Sequence, residues 1–308
     1  MLENRDLLKA ANERYEKYLK WLQRQPVSDQ TRRAYRSRIN AFLGFLGTSG
    51  EDIRTMVTND GERSHVLRTY KRYLKQEARL LPSSVNANLT AIDHFLQYLG
   101  AAATKIARED LPQEAPRALN KGEQQLFLRN VAACRRTKDQ AVALLLFYSG
   151  IRISECANLN VDDVSVLGRK NRVVIRSGKG ERYREIPLHA DARDAIKAWL
   201  IERTKKFDEG EKFKRIKIDD ALFLNPQGRR LSTASIDLIV RKIGKSCGLD
   251  LSAHVLRHSC LTNLVRNGND LILVAEIGGH KRLETTKRYT LPTSQDREKA
   301  IAGLTSDS

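Results

Sequence analysis

Cysteine is scarce and scattered. Cys134, Cys156, Cys247 and Cys260 are the only four in 308 residues, and no two form a CxxC pair. Such spacing suits neither a zinc site nor a disulfide framework and points to a reduced, cytoplasmic setting. Long apolar runs are also missing. No stretch of eighteen apolar residues occurs, so no membrane-spanning helix is expected. The first twenty residues carry Glu, Arg and Lys and lack an apolar h-region, so secretion is not expected either. Negative charge is the minority sign: 37 acidic residues face 55 basic ones, a net charge of +18. Seventeen basic and eleven acidic residues lie in the first hundred, a net of +6, which leaves +12 for the remainder. An excess spread over the whole chain repels itself until a polyanion neutralises it, and nucleic acid is the partner that fits best.

What is present is helical periodicity. A first helix is expected over roughly Leu2–Arg24, broken by Pro26, Val27 and Ser28. A second carries the stripe Tyr35, Ile39, Phe42 and Leu46, with Gly47 to Gly50 ending it. A third, roughly Glu62–Leu80, buries Val66, Tyr70 and Leu74, and Pro82 starts a fourth with Val85, Leu89, Ile92, Leu96 and Leu99 inward. The basic flanks of this bundle, Arg32, Arg33 and Arg36 on the second helix and Arg68, Lys71, Arg72 and Lys75 on the third, are candidate contacts to a DNA backbone; singly, each also fits an ordinary wet helix face. Between roughly Thr104 and Arg117, Pro112 and Pro116 interrupt a stretch without apolar period. This reads as a connector between a domain at 1–103 and another at 118–308.

The second domain mixes elements. Helical patterns cover Lys121–Arg136 and Lys138–Ser149. Strands are expected at Arg172–Arg176 and Tyr183–Leu188, joined by Ser177-Gly178-Lys179-Gly180-Glu181, and helix resumes at Ala190–Lys205. A charged surface loop is expected over Lys205–Asp220, and mainly helix beyond it. Arg152 follows a glycine break at the end of the apolar helix Ala141–Phe147. Lys179 sits between two glycines, where backbone can approach a ligand closely. His254 and Arg257, three apart, share one helical face, and His258 follows. His280 comes 23 residues after Arg257, and Tyr289 nine residues after His280 in a polar Lys-Arg-Tyr-Thr setting that suits an exposed side chain. Tyr35, Tyr70 and Tyr98 fall on apolar faces, and Tyr148 fits core packing.

Cleaving a phosphodiester without a metal requires a nucleophile, cations for the charge growing on the non-bridging oxygens, and an acid for the leaving oxygen. Paired arginines supply forked donors, and lysine or histidine handles protons. This chain has all of these types and no acidic cluster suited to Mg²⁺, so no metal is expected.

The ordered series Gly-Ile-Arg152-Ile-Ser-Glu155, Gly-Lys179-Gly, His254-x-x-Arg257-His258, Gly-His280 and Tyr289 resembles the tyrosine site-specific recombinases, which include the phage integrases and the Xer proteins. The catalytic resemblance covers roughly Ala118–Ala300. It implies a mainly α fold with a small β-sheet: an N-terminal helical core-binding, SAM-like domain and a mixed α+β catalytic domain that together clamp duplex DNA. It further implies that Tyr289 attacks the scissile phosphate and holds the 3′ end, that Arg152, Arg257 and His280 stabilise the transition state, and that Lys179 protonates the 5′ oxygen. His254 would assist the tyrosine's proton, and Glu155 and His258 would brace the site. Gly279 stands out as a departure, where leucine is more usual, expected to loosen a helix start at His280. No cofactor is implied. The partners implied are a specific recombination site and a tetramer of protomers, with the tail Leu291–Ser308 packing on a neighbour. A type IB topoisomerase-like activity and a non-catalytic DNA-binding accessory protein remain as alternatives.

Overall fold

Side chains repeating every three to four residues must bury one stripe, and the helices of this chain follow those stripes closely. The computed structural model describes residues 2–103, 106–111, 115–168, 170–176, 183–208, 218–280, 282–292 and 294–302. The chain divides into two compact units, residues 1–112 and 113–308.

The first unit consists of α1 (Leu2–Gln23), α2 (Asp29–Ser49), α3 (Ile53–Thr58), α4 (Asp60–Gln76) and α5 (Pro82–Tyr98). Ser28 caps α2 by accepting the Thr31 N–H, and Pro82 opens α5, where a missing N–H costs nothing. α2 runs through Gly47 and stops only at Gly50, which adopts φ +76°, the left-handed cap that glycine reaches without strain. Ile39, Phe42, Leu46, Val66, Tyr70, Leu74, Val85, Leu89, Ile92 and Leu96 are all buried in one core. At about 1.5–3 kcal/mol for each large apolar side chain, that face rather than intrinsic propensity holds the bundle. The six-residue α3 was not expected. Asp52 caps its start, and Asn59 ends it while capping α4.

The expected connector is partly committed to this unit. Ile106 packs on its core. Lys71 donates to the Ala107 carbonyl at 2.7 Å, and the Glu109 carboxylate pairs with Lys71 at 2.7 Å and Lys75 at 2.8 Å.

The second unit begins with α6 (Lys121–Ala132), capped reciprocally by Asn120 and Glu123. It ends four residues before the expected Arg136. α7 (Thr137–Ser149) is apolar on nearly every side and lies in the middle of the core. Then come α8 (Ile153–Asn158) and an antiparallel sheet of β1 (Val164–Ser165), β2 (Arg172–Ile175) and β3 (Arg184–Pro187), in that order, with Val173 opposite Ile186. Helices α9 (Ala190–Arg203), α10 (Thr233–Ser246), α11 (Ala253–Arg266), α12 (Leu271–Gly278), α13 (Leu283–Lys287) and α14 (Ser294–Ala302) complete it. The stretch expected as a surface loop begins instead as a π-helical turn, Thr204–Asp208, with Phe207 buried; residues 209–217 lie outside the described residues. All four cysteines are free. Among the described residues, no helix is long and apolar enough to cross a membrane. The tail helix α14 is tied to α11 of its own unit by Arg266 and Asp296 at 2.7 Å, with Ile301 69% exposed.

Candidate active site

The site is assembled where α11, the α7–α8 corner, β3 and the end of α12 meet. Gly150 ends α7, and the chain turns through Ile151 to Arg152, the residue preceding α8. The Arg152 backbone N–H donates to Glu155 Oε2 at 2.7 Å and its Nη1 to Oε1 at 2.8 Å.

Three guanidiniums then take three successive carbonyls at the C-terminal end of α12. Arg184 Nε donates to the Ile277 carbonyl at 3.0 Å, Arg257 Nη2 to that of Gly278 at 2.7 Å, and Arg152 Nη2 to that of Gly279 at 2.7 Å. A helix end leaves these carbonyls unpaired and carries partial negative charge, so it draws cations together that would otherwise repel. Arg257 also donates to the Gly150 carbonyl at 2.5 Å, locking α11 to the α7–α8 corner.

Gly279 does not loosen a helix start. It closes α12 at φ +62°, and a Cβ there would lie 2.7 Å from Arg184 Nη1 and 3.1 Å from Arg152 Nη1. The expectation fails because His280 lies beyond a helix end rather than at a beginning, and a leucine at 279 would be strained at this φ and would displace the Arg184 guanidinium.

His280 is held by both ring nitrogens: Nε2 lies 2.9 Å from Arg257 Nη2, and Nδ1 lies 2.8 Å from Thr286 Oγ1. Arginine can only donate, so Nε2 accepts and Nδ1 carries the hydrogen. Burial, then Arg257 and Arg152, push this imidazole down to about 4.

Tyr289 is not exposed. It is 4% accessible, in a 3-10 turn at Arg288–Thr290, packed with Leu261 and Val274. Its polar sequence neighbours misled because the burying groups come from α11 and α12, remote in sequence. The ring stacks on His280 with centroids 5.9 Å apart and planes 6° apart.

The histidine against the phenol is His258, not His254. His258 Nδ1 lies 3.0 Å from Tyr289 Oη, and its Nε2 lies 2.7 Å from His254 Nε2. On α11 the contact that matters is therefore between His254 and His258, four residues apart, while Arg257 points into the protein. Burial raises the Tyr289 phenol, with Arg257 and Arg288 opposing it. Burial, with His254 and Arg288 beside it, pushes His258 down to about 3, and burial and Arg257 lower His254. For Glu155, burial alone would raise the carboxyl, but the bonds from Arg184 and Arg152 bring it below its ordinary value.

Lys179 lies outside the described residues. Arg184 and Thr286 were missed. The one signal for Arg184 was the period of two along β3, which puts it on the inward face with Ile186. Of the candidate DNA contacts, Arg33, Arg36, Arg68 and Arg72 are exposed. Arg32 is spent on Asp29 and on the Leu22 and Gln25 carbonyls, and Lys71 and Lys75 on Glu109. Among the described residues no cluster of His, Cys, Asp and Glu could hold a metal.

The neutral imidazoles predict how stability depends on pH. His258 at about 3 and His280 at about 4 lie below the value of about 6.5 expected in an unfolded chain. Below that value the unfolded chain takes up protons that the folded one refuses. Their contribution is therefore whole above pH ~6.5 and is lost as pH falls toward 4 and then 3. Thermal melts should show a lower Tm at pH 5 than at pH 7, with a smaller drop in His258→Asn and His280→Asn. Coincident melts in the parent protein would contradict neutral imidazoles.

The sequence model of the phage integrase family matches residues 117–296, and that of the phage integrase N-terminal SAM-like domain matches residues 13–103. The chain belongs to the phage integrase family. Tyrosine recombinase XerA of Thermococcus kodakarensis is 28% identical over 276 residues, 81% of this chain and 93% of that one. Tyrosine recombinase XerC of Mycobacterium sp. (strain JLS) is 31% identical over 282 residues, 85% of this chain and 88% of that one. Among solved structures, the XerH site-specific recombinase in a post-cleavage complex with palindromic difH substrate superposes with a TM-score of 0.70 at 23% identity, covering 88% of this chain and 79% of that one. A lambda integrase dimer bound to a COC′ core site gives 0.64 at 15% identity, covering 96% and 98%. At such identities the structures establish a shared fold. It is the phage integrase arrangement expected above, mostly helical with a small three-stranded sheet in the catalytic part.

Proposed function

We propose that this phage integrase family member is a site-specific DNA recombinase that breaks and rejoins strands through a covalent 3′-phosphotyrosine at Tyr289. The observation that carries the reading is the Tyr289 hydroxyl 3.0 Å from a neutral, buried His258, in a site built around Arg152 and Arg257. A phenol raised by burial is a poor nucleophile until a base takes its proton during attack. In this reading Oη bonds to phosphorus as its proton passes to His258 Nδ1. His258 Nε2–H then hands a proton to His254 Nε2, at the exposed end of the pair. The P–O5′ bond breaks, and Lys179 supplies the proton to the leaving oxygen. Arg152 and Arg257 stabilise the charge on the non-bridging oxygens, Glu155 orients Arg152, and His280 anchors Arg257 while stacking on the tyrosine. One phosphodiester is exchanged for a phosphotyrosine ester and then for another phosphodiester, so neither ATP nor metal enters.

The partner is duplex DNA carrying a specific recombination site, contacted by both domains, 1–103 and 118–308. Arg33, Arg36, Arg68 and Arg72 are exposed and contact the backbone. DNA phosphates compete with Glu109 for Lys71 and Lys75. Four protomers assemble on two sites, and the tail from Leu291 onward packs on a neighbour, exchanging the Arg266–Asp296 tether for contacts in trans.

A plasmid bearing two copies of the site this protein selects from a randomised DNA pool tests the function. In EDTA and without ATP, the protein should delete or invert the intervening segment. Relaxation of supercoils in a plasmid lacking the site, without exchange, would replace recombination by a topoisomerase activity.

A further inference from the structure

Cleavage as described uses two of the three guanidiniums gathered at the end of α12, and the third has no assigned part. Arg184 is 7% exposed and so lies beneath the site, whereas the Arg152 side chain is 36% exposed. Arg184 Nη1 and Nη2 donate to Glu155 Oε1 at 3.0 Å and Oε2 at 2.7 Å, a fork that uses both oxygens. Its Nε holds the Ile277 carbonyl at 3.0 Å. Because the fork position on Glu155 is taken, Arg152 has only Oε1 for its Nη1 and sends Nη2 to the Gly279 carbonyl. A lone arginine beside a carboxylate would take the fork itself, drawing its N–H groups away from solvent.

We propose that Arg184 is a positioning residue for strand cleavage: it occupies Glu155 and the last turn of α12 so that Arg152 presents its outer N–H groups to the scissile phosphate. This inference rests on the recombinase reading above. The competing explanation is a clamp that merely holds β3 against α12 and has no bearing on how charge is stabilised. The absence of a side chain at 279 fits the tight approach: a Cβ there would sit 2.8 Å from Arg184 Cζ.

The test compares single-turnover cleavage of two nicked suicide substrates, one with an ordinary scissile phosphate and one with a methylphosphonate at that position. The methylphosphonate is neutral, so its transition state carries less charge for Arg152 to meet. Arg184→Lys keeps the charge and the aliphatic stem but cannot hold two carboxylate oxygens and a carbonyl at once. Both Arg184→Lys and Arg184→Gln should cleave the ordinary substrate about 10–100-fold more slowly, with DNA affinity within about threefold of the parent. On the methylphosphonate the defect should shrink to less than about threefold, as it should for Arg152→Ala. Equal slowing on both substrates, or parental cleavage by Arg184→Lys, would overturn the positioning role. If Arg184→Gln does not fold, Arg184→Lys decides alone. A parent protein that forms no adduct with either substrate would overturn the recombinase reading, and this role with it.

Discussion

Replacing Arg257 by lysine is expected to slow strand cleavage about 10²-fold, and replacing it by alanine about 10³-fold, with DNA affinity changed only a few-fold. Arg257 is buried and donates to the Gly150 and Gly278 carbonyls as well as contacting His280 Nε2. Burial lowers its pKa, but an arginine starts so high that it stays charged, so the site keeps a cation beside His280. Lysine restores a point charge and cannot span three acceptors in one plane. Alanine removes the charge and leaves two carbonyls without donors, each loss costing about 1–3 kcal/mol. Arg257→Ala should therefore also melt earlier, whereas Arg257→Lys should stay closer to the parent. Single-turnover adduct formation and thermal melts on the same samples check both effects. Cleavage by Arg257→Lys at the parental rate would show that the forked geometry is dispensable.

The stripes on α2, α4 and α5 were legible in the sequence because every buried position repeats at helical spacing within one element. Helices α3 and α8 were not, since six residues are too few for a period to show, and β1 is only two residues long. The order Arg152, Arg257, His280, Tyr289 pointed to one site, and those residues do converge. Their roles were harder to read. Which imidazole meets the phenol depends on the phase of α11 and on where the 3-10 turn at Tyr289 docks, and both are set by contacts with other elements of the unit. Arg184 looked like one more basic residue in a charged hairpin, because only the packed structure brings β3 beside Glu155 and α12. The tail reads as helical in the sequence, but its tether needed the structure. Its tether to Arg266 is an ion pair between surface residues thirty positions apart, which no local pattern announces.

In the proposed mechanism Tyr289 forms the covalent bond to DNA. Its hydroxyl lies 3.0 Å from His258 Nδ1, and among the described residues no other tyrosine shares these surroundings: Tyr70 is buried in the first unit, and Tyr148 donates to Asp191 at 2.8 Å. Tyr289→Phe removes one oxygen and leaves the ring to pack on Leu261, Val274 and His280, so the fold and DNA binding should persist. The deciding measurement mixes parent and Tyr289→Phe proteins with a suicide substrate in EDTA, resolves covalent adducts under denaturing conditions, and maps the attachment by mass spectrometry. The expected result is a 3′-phosphotyrosine at residue 289 in the parent and no adduct in Tyr289→Phe, with both binding the DNA. An adduct that persists in Tyr289→Phe, or one that maps to any other residue, would contradict it.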